Sequence, residues 1–193
     1  DTYFYHLPRA IPSHTCEDII EFGKSLNPKQ ARTMSTKDML SDEEKKQEIK
    51  DIRSSKVAWI YDDNPWVYRE LKPMIEYANK SWGFNISRYE SIQFTEYEPR
   101  GHYTWHNDSI QNPMSLKNIT RKLSMVVQLS KPEKYEGGGF RFNLRGLDSQ
   151  VDDNIMSPPP EFKQQGSIIV FPSFLWHKVE PITKGIRHSL VMW

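Results

Sequence analysis

The hydrophobic pattern changes character near residue 90. Before that point, apolar residues recur at helical spacing in two segments, and after it they alternate with polar residues at period two. The first half predicts two helices and two strands: helices from Ser13 or Thr15 to about Leu26 and over Pro65–Trp82, and strands over Tyr3–Ile11 and Lys56–Tyr61. Between them, residues 27–51 are polar and rich in charges, which favours a solvated loop with a short helix.

The second half of the chain predicts a run of short strands with Pro and Gly at the turns. The predicted strands are Ser91–Glu98, Lys122–Ser130, Gly139–Leu144, Gly166–Phe171, His177–Pro181 and Arg187–Trp193. This arrangement is typical of a sandwich or barrel, so we expect a mainly β fold with supporting helices. Two connections, residues 107–120 and 145–162, are longer than a hairpin needs, and such loops are usually functional or mobile.

Composition narrows the expected class and compartment. The 193 residues fit one domain, and the net charge of +1 gives no general attraction to nucleic acid or an anionic membrane. One Cys cannot form an internal disulfide, and no apolar run approaches the roughly 20 residues that span a bilayer. We therefore expect an intracellular, cytoplasmic monomer with no nucleic-acid or membrane partner. Six His against one Cys predict nitrogen and oxygen ligands for any metal.

Candidate metal chemistry lies in two separated segments. His106 and Asp108 stand two residues apart, so at the end of a strand they point the same way, and His177 follows on a later strand. Two histidines and one carboxylate form a facial triad that leaves one side of Fe(II) open. Alone, the His-x-Asp pair is equally compatible with a surface turn. A cupin-like metalloenzyme that needs no organic cosubstrate is a second interpretation of the triad.

Arg187 lies on the last predicted strand, between apolar neighbours. Period two places it on the same face as Ser189, Val191 and Trp193, and the flanking residues suggest a buried strand. A buried arginine needs an anionic or polar partner. With a metal triad upstream we expect a bound carboxylate, because a guanidinium binds one bidentately, and the hydroxyl of Ser189 is a further donor. A structural ion pair with a local carboxylate is the alternative.

Taken together, the motifs of the second half resemble one enzyme family. The chain is similar to the Fe(II)/2-oxoglutarate-dependent dioxygenases of the prolyl 4-hydroxylase-like group, in four segments that occur in the family's order: Tyr97 with His106-Asn107-Asp108, Glu136–Phe142, Gly166–Pro172 and His177–Trp193. Residues 51–60 also resemble the segment that follows the mobile substrate loop of oxygen-sensing prolyl hydroxylases. Residues 35–50 thereby become a candidate substrate lid.

The resemblance implies a double-stranded β-helix, a jelly-roll or cupin-like barrel, over residues 91–193. Residues 1–90 would supply the supporting N-terminal α/β elements and the lid. His106, Asp108 and His177 would bind iron, and Arg187 would hold the distal carboxylate of 2-oxoglutarate. The implied cofactors are Fe(II), 2-oxoglutarate and O2, with ascorbate as a further candidate.

Three more residues are assigned to the cosubstrate by this resemblance. Tyr97 occupies the position of a family tyrosine that lies against the cosubstrate, and a packed core tyrosine is its alternative. Gln128 stands where some relatives have a tyrosine that touches the distal carboxylate. Trp193 matches a family tryptophan beside the pocket, although a tryptophan there also fits a role in completing the core.

The resemblance favours a peptide or protein substrate that contains proline. Arg53 and Arg121 match substrate-facing arginines of prolyl hydroxylases, and ordinary surface charge is the alternative for both. Lysine hydroxylation and a small-molecule substrate stay open, as does a barrel module that binds metal without catalysis. Nucleic-acid demethylation is disfavoured, because relatives that perform it carry a second arginine where this chain has Trp193.

Overall fold

The computed structural model describes residues 2–31, 41–109, 120–146 and 154–193, and the account that follows concerns these. Three helices are present: α1 (Ser13–Ser25), α2 (Asp42–Ile52) and α3 (Pro65–Asn79). The strands are β1 (Tyr5–Leu7), β2 (Lys29–Gln30), β3 (Arg53–Ser54), β4 (Lys56–Ile60), β5 (Ile92–Tyr97), β6 (His102–His106), β7 (Leu123–Gln128), β8 (Tyr135–Gly137), β9 (Phe140–Asn143), β10 (Ile155–Met156), β11 (Ile168–Pro172), β12 (Trp176–Val179), β13 (Ile182–Gly185) and β14 (Arg187–Met192).

The strands form two main antiparallel sheets. A seven-stranded sheet has the order β1-β11-β7-β14-β5-β4-β2, and a five-stranded sheet has the order β10-β9-β12-β6-β3. A short ribbon pairs β13 with β8. The expected mainly β fold with supporting helices is therefore confirmed.

Side chains of the seven-stranded sheet alternate between two faces. The outer face carries an aliphatic core: Ile92, Phe94, Leu123, Met125, Val127, Ile168, Val170, Leu190 and Met192. The inner face packs on the five-stranded sheet and mixes apolar with polar side chains: Gln93, Thr95, Tyr97, Ser124, Val126, Gln128, Ile169, Phe171, Arg187, Ser189 and Val191. Period two in the sequence therefore separates a folding core from a polar interior.

Two helices cover the outer face. Helix α3 begins with Pro65 in its first turn, where a missing N–H costs nothing, and it buries Val67, Leu71 and Ile75 at helical spacing. In α1, Gly23 is buried against Phe94, and a Cβ at that glycine would stand only 2.4 Å from the phenylalanine ring. The absence of a side chain there lets α1 approach β5 closely.

Predicted and observed elements agree best where the apolar pattern is strong. Helix α1 starts at Ser13 as expected, and β5, β7, β9, β11, β12 and β14 fall within their predicted segments to within a few residues. The first strand is shorter, because only Tyr5–Leu7 pair with β11. Strand β6 was not predicted, since His-Tyr-Thr-Trp-His lacks the aliphatic alternation by which a strand is recognised.

The polar stretch of residues 27–51 contains the short helix that its composition predicts. Its second half forms α2, which begins with a capping box in which Ser41 and Glu44 each bind the other's backbone N–H. No side chain of α2 is fully buried. Residues 35–40 of the candidate lid lie outside the described residues, and residues 42–50 belong to α2. No helix in the described parts of the chain has the length and apolar character needed to cross a membrane.

Candidate metal centre and its surroundings

Strand pairing brings the three candidate metal ligands together. His106 ends β6, and His177 lies opposite it on β12 as its antiparallel partner. Asp108 follows two residues after His106, and its backbone N–H donates to the carbonyl of Ser173, 2.8 Å away, which fixes the segment beyond the strand. The expectation that His177 comes from a strand adjacent to the His-x-Asp pair is confirmed.

Each imidazole is oriented by a backbone carbonyl. His106 Nδ1 lies 2.8 Å from the carbonyl oxygen of Thr104, and His177 Nδ1 lies 2.8 Å from that of Leu175. Because a carbonyl only accepts, Nδ1 carries the hydrogen in both rings and Nε2 keeps its lone pair. These Nε2 atoms stand 3.6 and 3.5 Å from the two carboxylate oxygens of Asp108, and the ligand atoms all lie within 4.8 Å of one another. This donor set fits a divalent iron ion.

The carboxylate of Asp108 is held by two further donors. The hydroxyl of Ser124 lies 2.7 Å from Oδ2, and the indole N–H of Trp193 donates to the same oxygen at 3.0 Å. Ser124 is in turn hydrogen-bonded to Ser173 at 2.9 Å. Partners of this kind orient metal ligands and tune their affinity. Trp193 therefore contacts a metal-ligand candidate directly, which its position at the end of a motif did not reveal.

Burial and mutual charge set the protonation of the centre. Burial lowers the pKa of His106 to about 3, with the nearby His177 acting in the same direction and Asp108 opposing it. Burial alone would raise the pKa of Asp108, but the two imidazoles and the hydrogen bonds from Trp193 and Ser124 outweigh it and bring the pKa below its ordinary value. At neutral pH His106 is a free base and Asp108 is ionised, as ligands must be.

Aromatic rings surround the two imidazoles. Tyr103 stacks on His106 with 3.5 Å between ring centroids, and Phe140 stacks on His177 at 5.6 Å. Phe171 meets His177 edge-on at 4.8 Å. These contacts fix the planes of the rings and keep water from one side of the centre.

Arg187 is buried on the inner face with an unusual set of partners. Its side chain is only 1% exposed, its Nε donates to Gln128 Oε1 at 3.0 Å, and its guanidinium lies 5.5 Å from the centroid of the Tyr97 ring. Among the described residues no carboxylate forms an ion pair with it. The alternative of a local structural ion pair is therefore contradicted within this part of the chain, and the buried cation is suited to a bound carboxylate.

Tyr135 is a residue of this region that sequence reasoning missed. Its hydroxyl lies 2.9 Å from Nε2 of Gln128, the amide whose oxygen accepts from Arg187. Burial raises the pKa of Tyr135, and the positive charge of Arg187 works against that rise. The only available signal was its position directly before the glycine-rich segment Glu136–Phe142.

Ser189 and Tyr97 occupy the positions expected from the strand pattern. Ser189 is buried on the inner face, opposite Thr95 on one side and Gln128 on the other. Tyr97 is 4% exposed and lies directly across from Arg187 in the sheet. The structure thus places both beside the buried guanidinium.

The two remaining candidates, Arg53 and Arg121, both lie beside the centre. Arg53 is 7% exposed, donates to Ser55 and Gln93 at 2.8 Å each, and lies 4.5 Å over the ring of Tyr103. Ordinary surface charge is therefore the wrong interpretation of Arg53.

Arg121 is partly exposed, and its guanidinium contacts both a carboxylate and an aromatic ring. It donates twice to the carboxylate of Glu90, at 2.9 and 2.8 Å, and its guanidinium stacks 3.8 Å over the ring of Trp193. The stacking fixes the indole that binds Asp108. Arg121 is thus two contacts away from the candidate metal ligands.

Comparison with known families gives one clear match. The model of the 2OG-Fe(II) oxygenase superfamily matches residues 92–193, more than half of the chain. Two curated relatives are a PKHD-type hydroxylase of Janthinobacterium sp. (strain Marseille), 35% identical over 108 residues, and one of Synechococcus sp. (strain CC9902), 37% identical over 108 residues. The matched segment covers 55% and 56% of this chain, but only 43% and 42% of these relatives.

Solved structures with a similar fold include three prolyl hydroxylases. A Pseudomonas putida prolyl-4-hydroxylase superposes with a TM-score of 0.68 at 18% identity, covering 99% of this chain and 91% of that one. A Trichoplax adhaerens prolyl hydroxylase in complex with a hypoxia inducible factor peptide fragment gives 0.69 at 14% identity, with 99% and 82% covered. The viral collagen prolyl hydroxylase of Paramecium Bursaria Chlorella virus-1, in its 2OG complex, gives 0.62 at 17%, with 100% and 95% covered. The fold class expected from the sequence is confirmed.

Proposed function

Since the chain belongs to the 2OG-Fe(II) oxygenase superfamily, we propose that it is a 2-oxoglutarate-dependent dioxygenase that hydroxylates prolyl residues of a peptide or protein. The observation that carries this proposal is the pairing of two features in the interior between the two main sheets. The five-stranded sheet contributes the histidines of a His-Asp-His cluster, and the inner face of the seven-stranded sheet contributes a buried arginine that has no carboxylate partner among the described residues. A metal and a dicarboxylate cosubstrate together account for both.

His106, Asp108 and His177 would hold Fe(II) on one face. When bound, the metal activates O2 and couples the loss of CO2 from 2-oxoglutarate to oxidation of a C–H bond. The protein's part is to keep His106 deprotonated, hold the carboxylate of Asp108 through Ser124 and Trp193, and exclude water with an aromatic wall.

Arg187 would bind the distal carboxylate of the cosubstrate, with Ser189 as a further hydrogen-bond donor. Tyr97 and Gln128 would line the same pocket, and Trp193 would lie at its metal end. In a buried site a charge-assisted pair of this kind is stronger than in water. The cost of burying the guanidinium is met in the folded protein by Gln128 and the tyrosine rings.

Two observations support a peptide substrate: the proteins to which the chain is similar, and the residues that surround the candidate metal centre. The Trichoplax structure contains a peptide, and the curated relatives are called PKHD-type hydroxylases. Near the centre, Trp59 is 38% exposed, and its ring centroid lies 6.3 Å from that of Trp193. Arg53 and Arg121 flank the same region as candidate substrate-facing residues. An exposed tryptophan beside positive charge suits a peptide backbone and its carbonyl groups.

The test is an incubation with Fe(II), 2-oxoglutarate and a library of proline-containing peptides, followed by mass spectrometry. We expect a gain of about 16 Da on a prolyl residue, matching the mass of one oxygen atom, together with an equal amount of succinate. Asp108→Ala should abolish both, and Arg187→Ala should greatly raise the 2-oxoglutarate concentration that is needed.

Other outcomes separate the rival interpretations. Hydroxylation confined to lysine or to a small molecule would replace the prolyl substrate and keep the enzyme class. Metal-dependent turnover that is unaffected by Arg187→Ala would identify a metalloenzyme that does not use 2-oxoglutarate. Bound iron without the visible charge-transfer band on adding 2-oxoglutarate under anaerobic conditions would point to a non-catalytic module.

A further inference from the structure

We propose that Tyr135 is a cosubstrate-binding residue whose hydroxyl donates a hydrogen bond to the distal carboxylate of 2-oxoglutarate, beside Arg187. This inference rests on the proposed function and adds a specificity residue to it. In some relatives, the resemblance implies, a tyrosine at the position of Gln128 touches this carboxylate. In this chain the hydroxyl comes from β8 instead, and Gln128 holds it in place.

The orientation of the Gln128 amide follows from its partners. A guanidinium only donates hydrogen bonds, so the Gln128 atom 3.0 Å from Arg187 Nε must be the carbonyl oxygen. The amide nitrogen then faces Tyr135, 2.9 Å away, and donates to the phenolic oxygen. Arg187 lies beside this pair, since its Cδ and Tyr135 Cε2 would each stand 3.3 Å from a Cβ at Gly138.

The hydroxyl hydrogen of Tyr135 is therefore directed elsewhere. Gln128, which contacts the phenolic oxygen, is a donor, so the oxygen accepts from it and its own hydrogen needs another partner. In the described parts of the chain no protein acceptor is found for it. Tyr135 is 5% exposed, so its partner is buried, and the cosubstrate carboxylate would fill that place.

The charges around the Tyr135 hydroxyl determine which chemical group can accept its hydrogen bond. Arg187 supplies a buried positive charge, and the amide oxygen of Gln128 already accepts from that guanidinium. What is missing is an anionic acceptor that meets one N–H and one O–H donor. A carboxylate satisfies both with its two oxygens.

The glycine-rich segment makes room for the pair. Gly138 has φ +68°, and a Cβ there would stand 3.3 Å from both Arg187 Cδ and Tyr135 Cε2, and 2.6 Å from Ile182 Cδ1. A side chain would therefore push the arginine and the tyrosine apart and would strain the backbone. Glycine at this position lets the two donors converge on one ligand.

The experiment compares two cosubstrates that differ only at the distal end. 2-Oxoglutarate and 2-oxopentanoate have the same chain length, but the second ends in a methyl group. Binding of each to the Fe(II)-loaded protein is titrated to half-saturation under anaerobic conditions by the visible charge-transfer band and by calorimetry. For Tyr135→Phe we expect 2-oxoglutarate to bind about 10- to 100-fold more weakly, because a hydrogen bond to a charged group is lost. Binding of 2-oxopentanoate should change less than about twofold.

Two further variants serve as a negative and a positive control. Tyr89→Phe removes a hydroxyl that donates to Glu76 on the surface, and it should alter neither titration. Arg187→Ala should weaken 2-oxoglutarate selectively and more strongly than Tyr135→Phe does. Should Tyr135→Phe fail to fold, Gln128→Met removes the amide that orients the hydroxyl and should give the same selective loss.

The outcomes separate this inference from the function on which it rests. If Tyr135→Phe changes neither titration, or weakens both cosubstrates equally, the residue is structural and the inference is overturned. If Arg187→Ala discriminates between the cosubstrates while Tyr135→Phe does not, only the inference fails. If Arg187→Ala does not discriminate either, the cosubstrate pocket of the proposed function is wrong.

Discussion

The two faces of the seven-stranded sheet are built from the same strands, but one forms an apolar core and the other a polar interior. On β14, Leu190 and Met192 join the aliphatic outer core, while Arg187 and Ser189 point to the inner face. The outer face is covered by helices and holds apolar side chains in mutual contact. The inner face buries hydrogen-bonded polar groups and a cation, which is the arrangement that a buried polar ligand would need.

This difference indicates which substitutions should affect the stability of the fold and which should affect ligand binding. Substitutions on the outer face should change the free energy of unfolding and leave ligand binding unaltered. Substitutions on the inner face should do the reverse, because polar networks add little net stability when both partners are satisfied. Three experiments test this separation, in order of decreasing effect.

Asp108→Ala should cause the largest change. We expect iron to bind more than about 100-fold more weakly and succinate formation to disappear, since even residues that only support metal ligands cost 10- to 100-fold. Circular dichroism should show the native fold. Asp63→Ala, in an exposed turn, is the matched control. Full iron stoichiometry with turnover in Asp108→Ala would remove the metal assignment.

Phe94→Ala tests the opposite face. This ring is fully buried, packs against Gly23 and stacks on His188 at 5.5 Å. Truncation should lower the free energy of unfolding by about 3–5 kcal/mol, measured by urea titration. The exposed Phe174 supplies the control, because Phe174→Ala should change stability by less than about 0.5 kcal/mol. Iron affinity should stay unchanged in the folded Phe94→Ala protein, and a large loss there would break the separation of the two faces.

Acid should produce a smaller, graded effect on the metal-free protein. The pKa of His106 is lowered in the folded state, so between pH 6.5 and about 3 the unfolded chain binds a proton that the native state does not. The free energy of unfolding should therefore fall as the pH falls below 6.5, by up to about 1.4 kcal/mol per pH unit for this imidazole. Burial also lowers the pKa of His188 on the outer face, which contributes in the same direction.

Urea titrations at pH 7, 6 and 5 measure this slope, and His106→Gln should flatten it by the share of one imidazole. An unchanged slope in that variant would show that His106 is not a buried neutral base. Saturation with Fe(II) should raise stability in the native protein and leave His106→Gln nearly unaffected, which links the slope to the metal centre.

Features that depend on a single physical rule could be predicted from the sequence. Period two predicted the faces of β14, and the buried position of Arg187 followed from it. Spacing grouped His106 with Asp108, and the facial-triad pattern added His177, although strand β6 itself was missed because its aromatic and polar residues obscure the alternation.

Contacts between distant segments could not be predicted in this way. Tyr135 meets Gln128 and Arg187 only because β8 lies beside the inner face, and Arg121 meets Trp193 only after the sheet has formed. Helix α2 was expected only as a short helix without bounds, for a local reason. Its stability comes from a capping box and charged side chains, and it has no apolar face that the pattern would show.

The buried position of Arg187 has a thermodynamic consequence for the fold itself. Its neighbours converge on it only when β5, β7 and β14 are paired, so an anion that needs this geometry binds the native chain and not the unfolded one. Such a ligand adds about 2.7 kcal/mol to stability at a hundred times its Kd. Under the proposed function, the stability of the folded protein would be coupled to the supply of 2-oxoglutarate, and scarcity of that small molecule would both slow turnover and favour unfolding.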